Sequence, residues 1–135
     1  NLSTKELNWS KNLKYPFNSD IKKNKNKIFA VDYKNTLRCN NISDGSECWN
    51  LQTEDSFTIS DSNLSVIIIN DMVVFNNSVG DITAVDINTG QMIWQTPTQS
   101  SLIYDDTFFL KTSIIVADNN TIFLSNNKNS FFSFF

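Results

Sequence analysis

The stretch Ala84-Val85-Asp86-Ile87-Asn88-Thr89-Gly90-Gln91-Met92-Ile93-Trp94 decides the fold of this 135-residue chain. Apolar and polar residues alternate before residue 87, as they do in a half-buried strand, and the strand pattern resumes at residue 92. Between them, Gly90 supplies positive φ at no steric cost, and Asp86 can accept hydrogen bonds from backbone amides across the turn. The stretch therefore predicts a tight β-hairpin that ends in a tryptophan.

The three tryptophans of the chain recur at a nearly regular interval. Trp9, Trp49 and Trp94 are separated by 40 and 45 residues, which is the length of one four-stranded propeller blade. Each follows a turn pair by four or five residues, and these pairs are Thr4-Lys5, Asp44-Gly45 and Thr89-Gly90. We therefore expect the tryptophans to occupy equivalent positions in successive blades.

Short strand patterns bounded by turn residues fill the rest of the chain, and no window has the apolar spacing of a helix. A weak strand is predicted somewhere in 17–21, and the lysine-rich residues 22–27 are interpreted as a solvated loop. The last strand carries a phenylalanine stripe that we interpret as core packing between blades. The other predicted strands are 28–32, 36–40, 47–52, 65–69, 72–75, 82–86, 92–94, 113–117, 121–125 and 131–135.

These patterns predict an all-β chain made of consecutive four-stranded antiparallel blades of a β-propeller. We expect 1–10 to end one blade, about 15–53 to form a second, about 56–97 a third, and about 100–135 an incomplete fourth. Each blade of a propeller buries its faces against two neighbours, so about three blades cannot close a ring. The propeller is thus expected to be incomplete in this chain and to need further blades or further copies.

The decisive hairpin also resembles a known repeat motif. Ala84, Asp86, Thr89, Gly90 and Trp94 match Ala-x-Asp-x-x-Thr-Gly-x-x-x-Trp, the tryptophan-docking motif of the PQQ-like, or quinoprotein-type, propeller repeats. In that family the indole packs between neighbouring blades, against the turn of the adjacent repeat, a role that suits a large aromatic surface. The resemblance implies a propeller of seven or eight blades.

The other copies of the motif are less complete. The middle copy keeps Gly45 and Trp49, but it has cysteine, asparagine and aspartate where the motif has Ala, Asp and Thr. The first copy keeps Trp9 and Thr4 and places Lys5 at the glycine position.

Within that family, the loose repeats and the Asn/Lys/Ile-rich composition resemble the outer-membrane assembly lipoproteins of the BamB type. That resemblance implies a non-catalytic scaffold for protein–protein interaction in the bacterial periplasm, anchored to the outer membrane in a full-length protein. The implied partners are proteins, the outer-membrane barrel assembly components among them. Two alternatives stay open: a fragment of a quinone-dependent alcohol dehydrogenase, and a propeller sensor or ligand-binding ectodomain. The dehydrogenases share the motif but also carry a vicinal cysteine pair, which this sequence lacks.

Composition argues against several functional classes. Histidine is absent, which removes the usual general base and the commonest transition-metal ligand. The net charge of −3 does not favour binding to a phosphate backbone, and no apolar run approaches the roughly 18–20 residues that span a bilayer. Acidic pairs such as Asp105-Asp106 and Glu54-Asp55 are interpreted as solvated loop charge. We expect no enzyme activity, catalytic residue, cofactor, metal site, nucleic-acid partner or transmembrane segment.

Charge is unevenly distributed along the chain. Residues 1–38 hold nine of the eleven basic side chains and three acidic ones, and the remainder has a net charge of −9. A basic start followed by an acidic body can steer an anionic partner to one edge of the molecule. The alternative is that these lysines only keep a loop solvated.

Cys39 and Cys48 lie symmetrically about a predicted turn at 42–45. Residues that face each other across such a hairpin have Cα separations of about 4.5–5.5 Å, which overlap disulfide geometry. In an oxidising periplasm a disulfide between them is one of two open interpretations. Two free buried thiols, filling the small site that Ala84 fills in the next copy, are the alternative.

Overall fold

A computed structural model describes residues 3–54, 63–97, 114–125 and 131–134. This part of the chain forms eleven strands and contains no helix, so it has no helix that could cross a membrane. The strands are β1 (Lys22–Asn24), β2 (Lys27–Val31), β3 (Thr36–Asn41), β4 (Glu47–Gln52), β5 (Val66–Ile69), β6 (Met72–Asn76), β7 (Asp81–Asp86), β8 (Met92–Pro97), β9 (Val116–Asp118), β10 (Thr121–Ser125) and β11 (Phe131–Phe134).

The strands form three antiparallel sheets that follow one another along the chain. Their orders are β1-β2-β3-β4, β5-β6-β7-β8 and β9-β10-β11, so every pair of hydrogen-bonded strands is also consecutive in sequence. The predicted all-β class and its succession of antiparallel blades are confirmed. The first two sheets have four strands each, and the described residues supply three strands to the third.

Each sheet begins with a tight hairpin whose turn contains a residue in the left-handed region. Lys25, Asn70 and Asn119 have φ values of 50°, 52° and 51°. Asparagine visits this region more readily than most residues because its short polar side chain bonds locally. Asparagine thus takes the place of glycine in two of these turns. In the third turn Lys25 adopts positive φ, which is rare for lysine.

The middle sheet buries both of its faces. Val73 and Phe75 belong to the apolar core shared with the first sheet, whereas Val74 and Ile82 belong to the core shared with the third sheet. Successive residues of a strand point to opposite faces, so a strand that is covered on both sides needs a continuous apolar run. This requirement explains the Val-Ile-Ile-Ile and Met-Val-Val-Phe sequences of β5 and β6.

The first strand of the first sheet lies later than predicted. It is Lys22–Asn24 rather than a segment within 17–21, so the lysine-rich stretch forms a hairpin with β2 instead of a loop. Phe17 and Ser19 make only isolated bridges, to Asp32 and Leu64. Apolar patterning could not find this strand because backbone pairing to β2 holds it, and its lysines stay in contact with water.

The predicted phenylalanine stripe divides between two environments. Phe134 stacks on Trp94 with ring centroids 5.9 Å apart, as expected for packing between sheets. Phe131 is 71% exposed on the other face of the third sheet, where its ring lies 6.1 Å from that of Phe123. Phe108, Phe109 and Phe135 lie outside the described residues.

Candidate functional site

Trp9 lies directly against the turn of the first sheet. A Cβ atom added to Gly45 would lie 2.6 Å from Cε3 of the indole, closer than two such atoms can approach. The indole Nε1 donates a hydrogen bond to the carbonyl oxygen of Ile42 at 2.6 Å. Because Gly45 also has a φ of 70°, both the backbone and the space above it require a residue without a side chain.

Trp49 makes the same contact one sheet further along. A Cβ at Gly90 would lie 2.5 Å from Cδ2 of its indole, and Nε1 donates to the carbonyl oxygen of Ile87 at 3.3 Å. Ile87 precedes its glycine by three residues, as Ile42 does in the first sheet. Each of these two tryptophans therefore contacts the glycine turn of the repeat that follows it, with the same hydrogen bond.

The Asp86 carboxylate organises the turn beneath Trp49. Its Oδ1 accepts hydrogen bonds from the backbone N–H of Thr89 at 2.7 Å, from the Thr89 hydroxyl and from the backbone N–H of Asn88. These bonds, that of the Thr89 amide first, lower the pKa of Asp86. The motif residues Asp86, Thr89 and Gly90 thus form one hydrogen-bonded turn.

The middle copy forms its turn with other donors and acceptors. Asp44 accepts hydrogen bonds from the hydroxyl and the backbone N–H of Ser46, and these bonds lower its pKa. Asn41, at the position of Asp86, donates its amide to the Ser46 hydroxyl at 2.9 Å. The decayed motif therefore keeps a tight turn by different chemistry.

A small buried residue lies opposite the tryptophan in both complete sheets. Ala84 pairs with Trp94, and Cys39 pairs with Trp49. Both small residues are fully buried, and a register shift follows each of them. Cys39 and Ala84 therefore occupy the same position relative to the tryptophan of their sheet, as the sequence suggested.

Both cysteine thiols are free in the structure. The bulge after Cys39 pairs it with Trp49 rather than with Cys48, which differs from the directly opposed arrangement expected from sequence. Burial, and next the adjacent Cys48 side chain, raise the pKa of the Cys39 thiol to about 12. The free thiols are the second of the two interpretations that the sequence left open.

A buried polar seam joins the first two sheets at the end opposite the glycine turns. The Asn35 amide donates to the Ser78 hydroxyl at 2.7 Å, and its Oδ1 accepts from the Ser78 backbone N–H at 3.0 Å. Thr53 adds a bond to the carbonyl of Asn35 and accepts one from the Asn77 amide. Buried polar groups of this kind fix the relative position of two elements because every unmade bond is costly.

Sequence reasoning missed this seam, although the repeat contained a signal for the two turns whose residues form it. Asp32 and Asn77 lie 45 residues apart, the spacing of Trp49 and Trp94. Asp32 Oδ1 accepts from the backbone N–H of residues 34 and 36, and Asn77 Oδ1 accepts from those of residues 79 and 81. Aligning the repeats on tryptophan alone would have exposed this second repeated turn.

Asp32 also anchors a charged pair within the first sheet. Its fully buried carboxylate lies 3.0 Å from Arg38 Nε, and the same guanidinium reaches Glu47 at 3.1 Å. A buried carboxylate that has both an ionic partner and two backbone donors serves the fold. Within the described ranges no three acidic or cysteine side chains are grouped as metal ligands. Asp55, Asp105 and Asp106 lie outside those ranges.

The family model described as outer membrane protein assembly factor BamB matches residues 1–134. The chain belongs to this family of PQQ-like β-propellers. No curated protein sequence is significantly similar to it.

Solved structures of propellers share the fold of this BamB-family chain. BamB from Moraxella catarrhalis superposes with a TM-score of 0.82 at 14% identity, over 94% of this chain and 39% of that one. The quinohemoprotein alcohol dehydrogenase ADHIIG from Pseudomonas putida HK5 gives 0.68 at 15% identity, over 90% and 19%. The C-terminal WD40 domain of Sif2 gives 0.57 at 12% identity, over 81% and 28%. The BamB-family chain therefore spans less than half the length of each.

Proposed function

We propose that this chain is part of a non-catalytic propeller scaffold that binds protein partners in the bacterial envelope during outer-membrane protein assembly. The family match supports the proposal, since its description is that of an outer-membrane protein assembly factor. The proposed location is the periplasm, and the proposed partners are components of the outer-membrane barrel assembly machinery.

The observation that carries the scaffold proposal is the use of the buried and turn carboxylates within the fold. Asp32 is held by Arg38, and Asp44 and Asp86 accept bonds from their own turns. A general acid or base must instead reach a substrate proton within hydrogen-bonding distance. These three carboxylates act as structural acceptors, which suits a rigid binding platform.

We further propose that the repeat motif fixes each blade against the next one by packing a tryptophan on a glycine turn. Trp9 with Gly45, and Trp49 with Gly90, supply the contacts that support this role. The same role is proposed for Trp94, with Ala84, Asp86 and Thr89 shaping its repeat. Rigid blade-to-blade packing would hold the outer strands in fixed positions for a partner.

The outer strand of the second sheet is the proposed contact surface. Met92 and Ile93 of β8 are 45% and 51% exposed, and β8 is the last strand of its sheet. An edge strand can accept an extended segment of another protein by backbone hydrogen bonding. The exposed side chains of Met92 and Ile93 would contact apolar side chains of the bound segment and so add specificity to the backbone hydrogen bonds.

Site-specific photocrosslinking in a bacterial envelope tests this function. A photoreactive phenylalanine analogue at Ile93 should give adducts with a barrel assembly component, identified by mass spectrometry. The same analogue at Leu7, which is 80% exposed and is not part of β8, is the matched control and should give none. Equal adducts from both positions, or none from Ile93, would count against the scaffold proposal.

The dehydrogenase alternative has a separate test. Pyrroloquinoline quinone with Ca²⁺ should leave the intrinsic tryptophan fluorescence of the intact full-length protein unchanged if the scaffold proposal holds, since the dehydrogenase alternative places the catalytic residues outside this segment. Saturable quenching would favour a segment of a quinone-dependent dehydrogenase instead.

A further inference from the structure

A polar cleft lies between the first two sheets, beside the β1–β2 and β5–β6 turns. Its volume is about 490 Å³, within the range of about 300–1,000 Å³ that is typical of small-molecule sites. Five asparagines, two lysines, one aspartate and one isoleucine line it. Its position differs from that of β8, so the inference drawn from it does not depend on the proposed scaffold function.

The lining combines neutral groups that both donate and accept hydrogen bonds with two cationic groups that only donate. Each asparagine amide has two N–H donors and a carbonyl oxygen with two lone pairs, whereas each lysine ammonium has three donors and no acceptor. Among the described residues of the lining, Asp71 is the single carboxylate and Ile87 is the single apolar side chain. Such a lining complements a ligand that carries hydroxyl groups together with an anionic oxygen, and it offers little surface to an apolar one.

Charge around the cleft favours an anion. Lys25 and Lys27 outnumber Asp71 in the lining, which leaves a net charge of +1. Lys22 and Lys23 extend the positive charge along β1, on the edge of the same hairpin, and Lys22 lies 3.8 Å from the Asp20 carboxylate. Four of the nine basic side chains of residues 1–38 thus belong to the β1–β2 hairpin beside the cleft, where a net positive charge raises the local concentration of anions.

Lys27 is held in position at the junction of the two sheets. Its Nζ donates to the carbonyl oxygen of Ile87 at 3.3 Å and approaches Asn88 Oδ1 at 3.5 Å. An ammonium group carries three donors, so an oxyanion can take the third without breaking this bridge. A fixed ammonium loses less conformational entropy on binding than a freely moving one.

We propose that this cleft binds a small hydroxylated anion, such as a sugar that carries a phosphate or a carboxylate group. The anionic group would lie near Lys25 and Lys27, and the asparagine amides would bond the hydroxyl and ring oxygens. A volume of about 490 Å³ accommodates a molecule of that size and exceeds what inorganic phosphate would fill.

Titration of the isotope-labelled 135-residue chain by amide NMR tests the proposal. Glucose 6-phosphate and glucuronate are the two anionic probes, glucose is the neutral probe, and inorganic phosphate is the anion without hydroxyl-bearing carbons. We expect saturable shifts at residues 24–27, 70–71 and 87–88 with at least one sugar anion, and about tenfold weaker binding or none with glucose and phosphate alone. A response to only one sugar anion identifies which group the cleft takes.

A matched pair of variants separates a site from general charge attraction. Lys25→Asn removes a lining ammonium while keeping a residue that tolerates positive φ, and it should weaken binding of the sugar anion about tenfold. Lys23→Gln removes the same charge from β1 outside the lining and should leave the affinity within about twofold. The proposal is overturned if neither sugar anion shifts these residues, if glucose binds equally well, or if both variants weaken binding alike.

Discussion

At the scale of single residues, burial controls the reactivity of Cys39. The thiolate is the reactive form of cysteine, and a pKa of about 12 leaves on the order of one thiolate in ten thousand at about pH 8. We expect iodoacetamide to modify the partly exposed Cys48 in the folded protein and to spare the buried Cys39. Peptide mass mapping after a timed reaction measures both rates.

The Cys48→Ser variant provides the control for this experiment. Its single remaining thiol should stay unmodified in buffer and react fully in urea, because unfolding removes the burial that raises the pKa of Cys39. Rapid modification of folded Cys48→Ser would contradict the burial of Cys39 between the first two sheets.

The turn carboxylates predict a loss of stability in acid. The pKa values of Asp44 and Asp86 are lowered by hydrogen bonds in the folded state. Their stabilisation is therefore complete above the unfolded pKa of about 3.9 and is lost as the pH falls through the lowered values. We expect the urea midpoint of unfolding to fall between about pH 5 and about pH 3.

Substitution by asparagine isolates this contribution, since an amide oxygen still accepts the turn hydrogen bonds but does not titrate. Asp44→Asn/Asp86→Asn should therefore show a shallower dependence of the urea midpoint on pH than the natural chain. Asp118→Asn, at the exposed end of β9, is the matched single-site comparison. If the urea midpoint of the double variant fell with pH as steeply as that of the natural chain, the two turn carboxylates would not cause the loss of stability in acid.

At the scale of elements, the contact between Trp49 and the Gly90 turn predicts a strong local requirement for glycine. Alanine at Gly90 would adopt a φ of 73° and would place its Cβ 2.5 Å from the indole. Backbone strain of about 1–2 kcal/mol and overpacking of about 1–3 kcal/mol combine in this substitution. We expect Gly90→Ala to lower the free energy of unfolding by about 2–5 kcal/mol in urea denaturation.

A double-mutant cycle divides this cost between its two causes. In a Trp49→Ala background the clash disappears, so Gly90→Ala should retain only the backbone cost of about 1–2 kcal/mol. Equal costs in both backgrounds would mean that the indole does not press on the turn.

The elements also show which features the sequence could predict. The hairpin at 84–94 combines alternation, turn residues and a tryptophan that follows Trp49 by 45 residues, so several signals agree on one structure. Strand β1 has none of these signals, because it is a lysine-rich edge segment that exists through pairing with β2. The seam between Asn35 and Ser78 joins residues 43 positions apart, and single-residue patterns contain no information on such partners. The polar cleft likewise depends on how two sheets meet.

At the scale of the whole molecule, each apolar core of the described residues joins two sheets that follow one another along the chain. One apolar core joins the first and second sheets, and another joins the second and third. The stability of such an array is approximately a sum of sheet terms and interface terms. The two interfaces should therefore respond separately to substitution.

Amide hydrogen exchange can measure this separation. Ile122→Ala removes a buried side chain of β10 from the second interface, at a cost of about 2–5 kcal/mol. We expect faster exchange in β9, β10 and β11, with little change in β2 and β3. Phe75→Ala opens the first interface at about 3–5 kcal/mol and should instead accelerate exchange in β2, β3 and β6. Phe75 and Ile122 belong to the two different apolar cores on either side of the middle sheet, so each variant is the control for the other. If both variants increased exchange equally in all three sheets, the sheets would unfold as one cooperative unit and not separately.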